Sequence, residues 1–246
     1  MPKISVNILT KNRKDQLQKA IESVLKQSFK DYEIIVVNDG STDKTEEIIL
    51  RYKDIKVLRH ETSVGITQSR QEALEASQGE YIAILDDDDE WIDTDKLKKQ
   101  VEFLDKHNDY VLVGGGVRIS NINPPAGGQI SKFRPKTDSQ IRNWMLLKNP
   151  FFTSTVMFRK SAAFKAGGFK KDQIDLGEDY DLWLRMGLLG KLHNFQEVFT
   201  LYRESSYNKA KFKLFLKKQL KLITAFKSNY PFFWLSNIIL RLRLML

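Results

Sequence analysis

Residues 80–89 read Glu80-Tyr81-Ile82-Ala83-Ile84-Leu85-Asp86-Asp87-Asp88-Asp89, an apolar run cut off by four consecutive carboxylates. The run predicts a strand over 80–85, and the aspartates mark an abrupt end to it. Outward from this point the same kind of unit recurs. Towards the N-terminus, 4–9 and 33–37 are strand-like, the second rich in Ile and Val as a strand covered on both faces is. A shorter strand is expected at 56–59. Helical patterns lie between them: 14–26, with Leu17, Ala20, Ile21, Val24 and Leu25 on one face, another from near Lys44, and a third over 67–77. Downstream, a helix at 94–106 leads to a strand at 110–113 and then to Gly114-Gly115-Gly116. Strand and helix in alternation predict an α/β fold on a mostly parallel sheet. Past 120 the alternation fails. Asn123-Pro124-Pro125-Ala126-Gly127-Gly128 reads as a loop and boundary, which divides the chain into 1–120, 121–204 and a tail, 205–246.

Four adjacent aspartates repel one another unless a counter-charge is near. Just past the C-terminal end of a strand, they lie where open α/β sheets bind ligands. Carboxylates so placed hold a hard cation, Mg2+ or Mn2+, whose shell phosphates and water complete. A solvated acidic turn capping the next helix is the other reading. Gly177-Glu178-Asp179-Tyr180-Asp181 opens a helix with Leu182, Trp183, Met186 and Leu189 as its stripe. Its acids are either partners of the helix dipole or, beside a metal, the source of a base. Such a base takes the proton from an incoming hydroxyl while the cation stabilises a departing diphosphate. With no cysteine, and with His60, His107 and His193 far apart, a thiolate zinc site and a thiol nucleophile are excluded.

Taken in order, five segments resemble glycosyltransferase family two, inverting enzymes with the GT-A fold, over about 3–204. Val6-Asn7-Ile8-Leu9-Thr10-Lys11-Asn12-Arg13 is similar to the family's first strand and Pro-Thr-Tyr-Asn-Arg turn, with Leu9 for the proline and Lys11 for the tyrosine. Val36-Val37-Asn38-Asp39-Gly40-Ser41-Thr42-Asp43 matches its most recognisable motif. Ser63-Val64-Gly65-Ile66-Thr67-Gln68-Ser69-Arg70 resembles the Asn-x-Gly-x-x-x-Ala-Arg-Asn segment, with Ser63, Ser69 and Gln71 in place of Asn, Ala and Asn. Asp86-Asp87-Asp88-Asp89 is similar to the Asp-x-Asp-Asp block, and Gly177–Arg185 to the acceptor-site segment. The resemblance implies a nucleotide diphosphate sugar, typically UDP-linked, held by Thr10, Asn12, Arg13, Asp39, Gly65, Arg70, Asp86 and Asp87, with Asp39 on the base and Asp87 towards the ribose. It gives Mn2+ or Mg2+ to Asp88, the catalytic base to Asp179, and a saccharide or lipid-linked acceptor to Glu178, Trp183 and Arg185. Trp183 reads as core on helical spacing, while the resemblance favours a platform for a sugar ring. Many members carry a histidine after the late Tyr-Arg; here Tyr202-Arg203 runs into Glu204-Ser205-Ser206.

A glycoside hydrolase would leave the Asp39 motif unexplained, and a nucleotidyltransferase would want a glycine-rich loop where Thr10-Lys11-Asn12-Arg13 stands. From another class, a catalytically inactive, membrane-docked nucleotide-sugar-binding module stays open. The net charge of +9 sits wholly in 205–246, which holds nine Lys or Arg and no acid. That footprint argues against nucleic acid and for an anionic membrane surface. On a helix, Phe212, Phe215, Leu216, Ile223 and Phe226 fall opposite Lys213, Lys217, Lys218 and Lys221; this stripe faces either membrane or the body of the protein. No signal peptide and no uncharged run of the ~18–20 residues that span a bilayer is visible. The expected location is cytoplasmic, peripheral on the inner face of the cell membrane.

Overall fold

The computed structural model describes residues 1–120, 131–170, 177–203 and 209–245; the 123–128 loop lies outside them. The order is β1 (Ile4–Thr10), α1 (Lys14–Leu25), β2 (Tyr32–Asp39), α2 (Thr45–Ile49), β3 (Ile55–His60), α3 (Ile66–Ala76), β4 (Tyr81–Asp86) and β5 (Glu90–Trp91). Then come α4 (Lys96–Lys106), β6 (Tyr110–Ser120), β7 (Ser131–Lys132), α5 (Asp138–Trp144), β8 (Met157–Arg159), α6 (Lys160–Lys165), α7 (Glu178–Gly187), β9 (Lys191–Arg203), α8 (Lys209–Ala225) and α9 (Phe233–Met245). A single 3-10 turn, Thr153–Thr155, precedes β8.

Among the described residues the strands form one sheet in the order β3-β2-β1-β4-β8-β6-β9-β5, with β7 added to β6. The first four are mutually parallel. β8 runs antiparallel to both neighbours, and β6 and β9 are parallel again. The predicted α/β class and its mostly parallel half are therefore present.

Residue parity in β4 shows how the sheet makes two cores. Tyr81, Ala83 and Leu85 join Leu17, Ile21 and Val24 of α1 and Leu97, Val101 and Leu104 of α4. Ile82 and Ile84 face the other way, towards Leu74 of α3, Phe158 of β8 and Trp183 of α7. Alternation along a strand puts neighbours on opposite faces, so every position is apolar until the strand runs out into Asp86.

One expectation changes, and one reading left open by the sequence is decided. β6 does not end at 113 but passes through Gly114-Gly115-Gly116 to Ser120. A methyl group there would sit 2.4 Å from Asn194, 2.3 Å from Phe199 or 2.5 Å from Phe133 at the three positions in turn. The glycines are places where neighbours press on the strand, not its stop. The α8 stripe is also core in its larger part: Leu216, Ile223 and Phe226 are buried with Trp183 and Leu184, and Phe212 alone of the stripe is exposed. Tyr230 donates to the Leu184 carbonyl at 2.7 Å and Ser236 to the Leu146 carbonyl at 2.5 Å, tying both tail helices to the body.

Candidate active site

The C-terminal ends of β1, β2 and β4 lie side by side, because parallel pairing sets Leu9 against Val37 and against Asp86. The loops that leave these ends carry Arg13, Asp39 and Asp86–Asp89. Arg13 closes the acidic turn: one guanidinium nitrogen is 2.8 Å from Asp87 and 2.8 Å from Asp88. Two carboxylate oxygens thus converge on one positive point. Burial pushes the Asp87 carboxyl up to about 6 against the pull of Arg13, and burial raises Asp88 in the same direction. Thr10, buried at the end of β1, lies beside Asp87.

Asn12 has a positive φ of 55° and spends its side chain on the neighbouring loop, accepting from the Thr42 amide at 2.7 Å and the Asp43 amide at 3.3 Å. It shapes the loop behind Arg13. Asp39, at the end of β2, reaches across to the turn before α3 and accepts from the Val64 amide at 2.8 Å and the Gly65 amide at 3.2 Å. Gly65 takes φ 91°, a region that favours glycine, so the turn can present both amides to one carboxylate.

Arg70 is 4% exposed and lies between Asp86, at 2.8 Å, and Glu178, at 3.1 Å. It therefore fastens the turn after β4 to the first residue of α7. A buried guanidinium with two carboxylate partners is held charged, while burial and Asp179 push Glu178 upward. Next along α7, Asp179 is half-buried and accepts from the Thr153 hydroxyl at 2.5 Å and its own helix's Tyr180 amide at 2.6 Å. Asn149 adds a longer contact at 3.4 Å. Ser154, the next residue of the 3-10 turn, donates to Asp89 at 2.5 Å and accepts from the Asp86 amide at 3.1 Å. Adjacent residues of one short turn thus hold both the base candidate and the acidic turn.

Asp89 also accepts from the Arg203 amide at 2.8 Å, and burial together with Asp86 pushes its carboxyl up to about 8. It anchors the end of β9 to the acidic turn.

Two residues assigned to the acceptor stand elsewhere. Trp183 is fully buried, tilted against Phe158 with 5.5 Å between ring centres, so its faces serve packing and not a sugar ring. Helical spacing could not separate these roles because a core stripe and a platform share it. Arg185 is spent on Asp181, at 2.5 Å, and on the Ala166 carbonyl, which pins α7 to the end of α6. Conversely His60, Glu72, Asn149, Thr153 and Ser154 carried no signal in the sequence. Each becomes visible only through the residue it touches.

Asp87 and Asp88, whose oxygens converge on one guanidinium nitrogen of Arg13, are the carboxylates that could hold a hard cation. Among the described residues no group of three acidic or histidine side chains is arranged around a metal position, but Mg2+ commonly takes one or two carboxylates and completes its shell with phosphates and water.

A twisted sheet with nucleotide-type loops at the ends of its first parallel strands, and a carboxylate helix facing them, defines a GT-A fold. The glycosyl transferase family 2 model matches residues 5–168. The putative glycosyltransferase EpsE of Bacillus subtilis is 34% identical over 83% of this chain and 74% of its own length. An Escherichia coli protein, WfaP, named as a UDP-Glc:alpha-D-GlcNAc-diphosphoundecaprenol beta-1,3-glucosyltransferase, is 37% identical over 43% of this chain and 42% of its own. Among solved structures, S. aureus TarS 1-349 in complex with UDP-GlcNAc superposes with a TM-score of 0.72 at 20% identity, over 94% of this chain and 68% of that one. The chain belongs to glycosyltransferase family two and is a glycosyltransferase of that family.

Proposed function

We propose that the protein transfers a sugar, with inversion, from a nucleoside diphosphate to an acceptor hydroxyl. The observation that carries this is one buried guanidinium, Arg70, joining the acidic turn after β4 to the helix that bears Asp179. It makes the donor pocket and the base candidate parts of one rigid site. In this reading Asp39 meets the base, Thr10, Asn12, Arg13 and Gly65 build the loops around the nucleotide, and Asp86 and Asp87 face the ribose side. Asp88, with Asp87, holds Mn2+ or Mg2+, which when bound offsets charge on the diphosphate. Asp179 takes the acceptor's proton as its oxygen attacks the anomeric carbon; the bond to the diphosphate breaks and the diphosphate leaves with the electron pair. Glu178 acts beneath Asp179, through Arg70. The hexosyl or N-acetylhexosaminyl group, and a saccharide acceptor carried on a lipid diphosphate, are proposals that the name of WfaP supports. Residues 1–120 serve the donor and 121–204 the acceptor.

We also propose a location on the cytoplasmic face of the membrane, held through α9. Its outer stripe of Trp234 (78% exposed), Ile238 (55%), Leu242 (57%) and Met245 (81%) is uncovered, and the tail around it is basic without an acid. No described helix is long and apolar enough to cross a membrane.

The direct test of the donor site is Asp88→Asn, which keeps size and removes a ligand charge. Calorimetry with UDP is expected to show Mn2+-dependent binding in the native protein and its loss in the variant, with thermal unfolding unchanged. Equal affinity in both would overturn the assignment of Asp88.

A further inference from the structure

Asp39 has no lone pair left. One carboxylate oxygen accepts from His60 Nδ1 at 2.9 Å and the Val64 amide at 2.8 Å; the other accepts from the Ser63 hydroxyl at 2.6 Å and the Gly65 amide at 3.2 Å. Any N–H arriving from a nucleobase must replace one of these four donors. The two amides are fixed by the turn before α3. The Ser63 hydroxyl can turn away about a single bond.

His60 cannot, because it is pinned at both ends. Its Nε2 lies 2.6 Å from Glu72 of α3, whose other oxygen accepts from Gln68, and its side chain is 12% exposed. A ring facing a carboxylate at each nitrogen donates to both only as the imidazolium; the neutral ring turns a lone pair on one of them. Asp39 from β2 and Glu72 from α3 are the titratable groups that face it. The adjacent Arg59 points away, to Glu46 of α2 at 2.8 Å.

We propose that His60 is a positioning residue for the nucleobase: the imidazolium clamped by Glu72 holds the Asp39 carboxylate in register while a ring N–H of the base takes the place of the Ser63 hydroxyl. This rests on the reading of Asp39 as the base acceptor. It selects bases with a ring N–H on their pairing edge, as in uracil, thymine and guanine, over cytosine and adenine. The displaced Ser63 hydroxyl is then free to donate to the carbonyl beside that N–H.

Protonation enters with a definite sign. Burial alone favours the neutral ring, but the bonds to Glu72 and Asp39 outweigh it and raise His60 above its ordinary value. A group raised in this way contributes fully at low pH, and its contribution is lost as pH rises through the raised value.

The test measures affinities of UDP, dTDP, GDP, CDP and ADP with Mn2+, beside inorganic pyrophosphate with Mn2+ as a probe that has no base. The native protein should favour the ring N–H class, and its preference over pyrophosphate should decline as pH rises through the raised His60 value, above that of an ordinary histidine. His60→Ala should weaken UDP about ten-fold and leave pyrophosphate unchanged. It should also flatten the pH profile, as Glu72→Gln should, while His60→Asn, which keeps a donor towards Asp39, should recover part of the loss. Should His60→Ala fail to fold, the more exposed Glu72→Gln decides by its pH profile alone. A native protein that prefers UDP while both variants keep its affinity and pH profile overturns the His60 proposal and spares the base site. A native protein with no preference for ring N–H bases overturns both.

Discussion

Arg13, His60 and Arg70 each stand between two carboxylates: Asp87 and Asp88, Asp39 and Glu72, Asp86 and Glu178. On the proposed reading, the pocket for a diphosphate and a cation is thereby charge-compensated before either arrives. Removing one partner of the buried Arg70–Glu178 pair typically costs several kcal/mol, because the other charge is stranded. Asp179 is held differently, by neutral donors: the Thr153 hydroxyl, the Tyr180 amide and, at longer range, Asn149. Asp179→Asn preserves those contacts in outline and removes the proton acceptor. Single-turnover rates should fall ~10²–10⁴-fold with UDP affinity nearly unchanged; a rate within a few-fold of native would exclude it as the base. That Arg13, Asp39 and the acidic turn gather at the strand ends was legible, because each stands in an unbroken stretch beside the strand that positions it, as Asp39 does beside Val36 and Val37. His60 and Thr153 were not, because their partners lie 21 and 26 residues away and nothing local marks them.

The elements show the same contrast. Strands of the parallel half were readable from apolar runs, since both faces are covered. β6 was cut short because glycine usually weakens a strand, whereas here Phe133, Phe199 and Asn194 occupy the space that side chains would take. For the tail helices, amphipathic spacing establishes an apolar face and not its partner. Contacts assign Leu216 and Ile223 of α8 to the core and leave Trp234, Ile238 and Leu242 of α9 outside. Deleting the tail would therefore strip the core, so substitution is the cleaner probe. The paired change Trp234→Ser and Ile238→Ser should abolish sedimentation with phosphatidylglycerol vesicles at low salt while the melting temperature stays put. Each Lys or Arg near such a surface contributes about 1 kcal/mol, so native binding should also weaken as salt rises. Binding that survives both the substitutions and high salt would rule out α9 as the docking element.

For the molecule as a whole, the sheet changes character between β4 and β8, from parallel to antiparallel, and the site straddles that change. Arg13, Asp39 and the acidic turn come from the parallel half; Thr153, Asp179 and the end of β9 come from the other. Family membership follows from the family model and the EpsE likeness, and the fold from the superposition, whereas inversion is a claim about where the acceptor stands relative to the leaving diphosphate. It is tested without knowing the acceptor, by letting water take its place. Nuclear magnetic resonance can follow the sugar first released from an α-linked nucleotide sugar, before mutarotation. Attack opposite the diphosphate, assisted by Asp179, predicts that the β-anomer appears first and that Asp179→Asn slows its release. The α-anomer appearing first would contradict it.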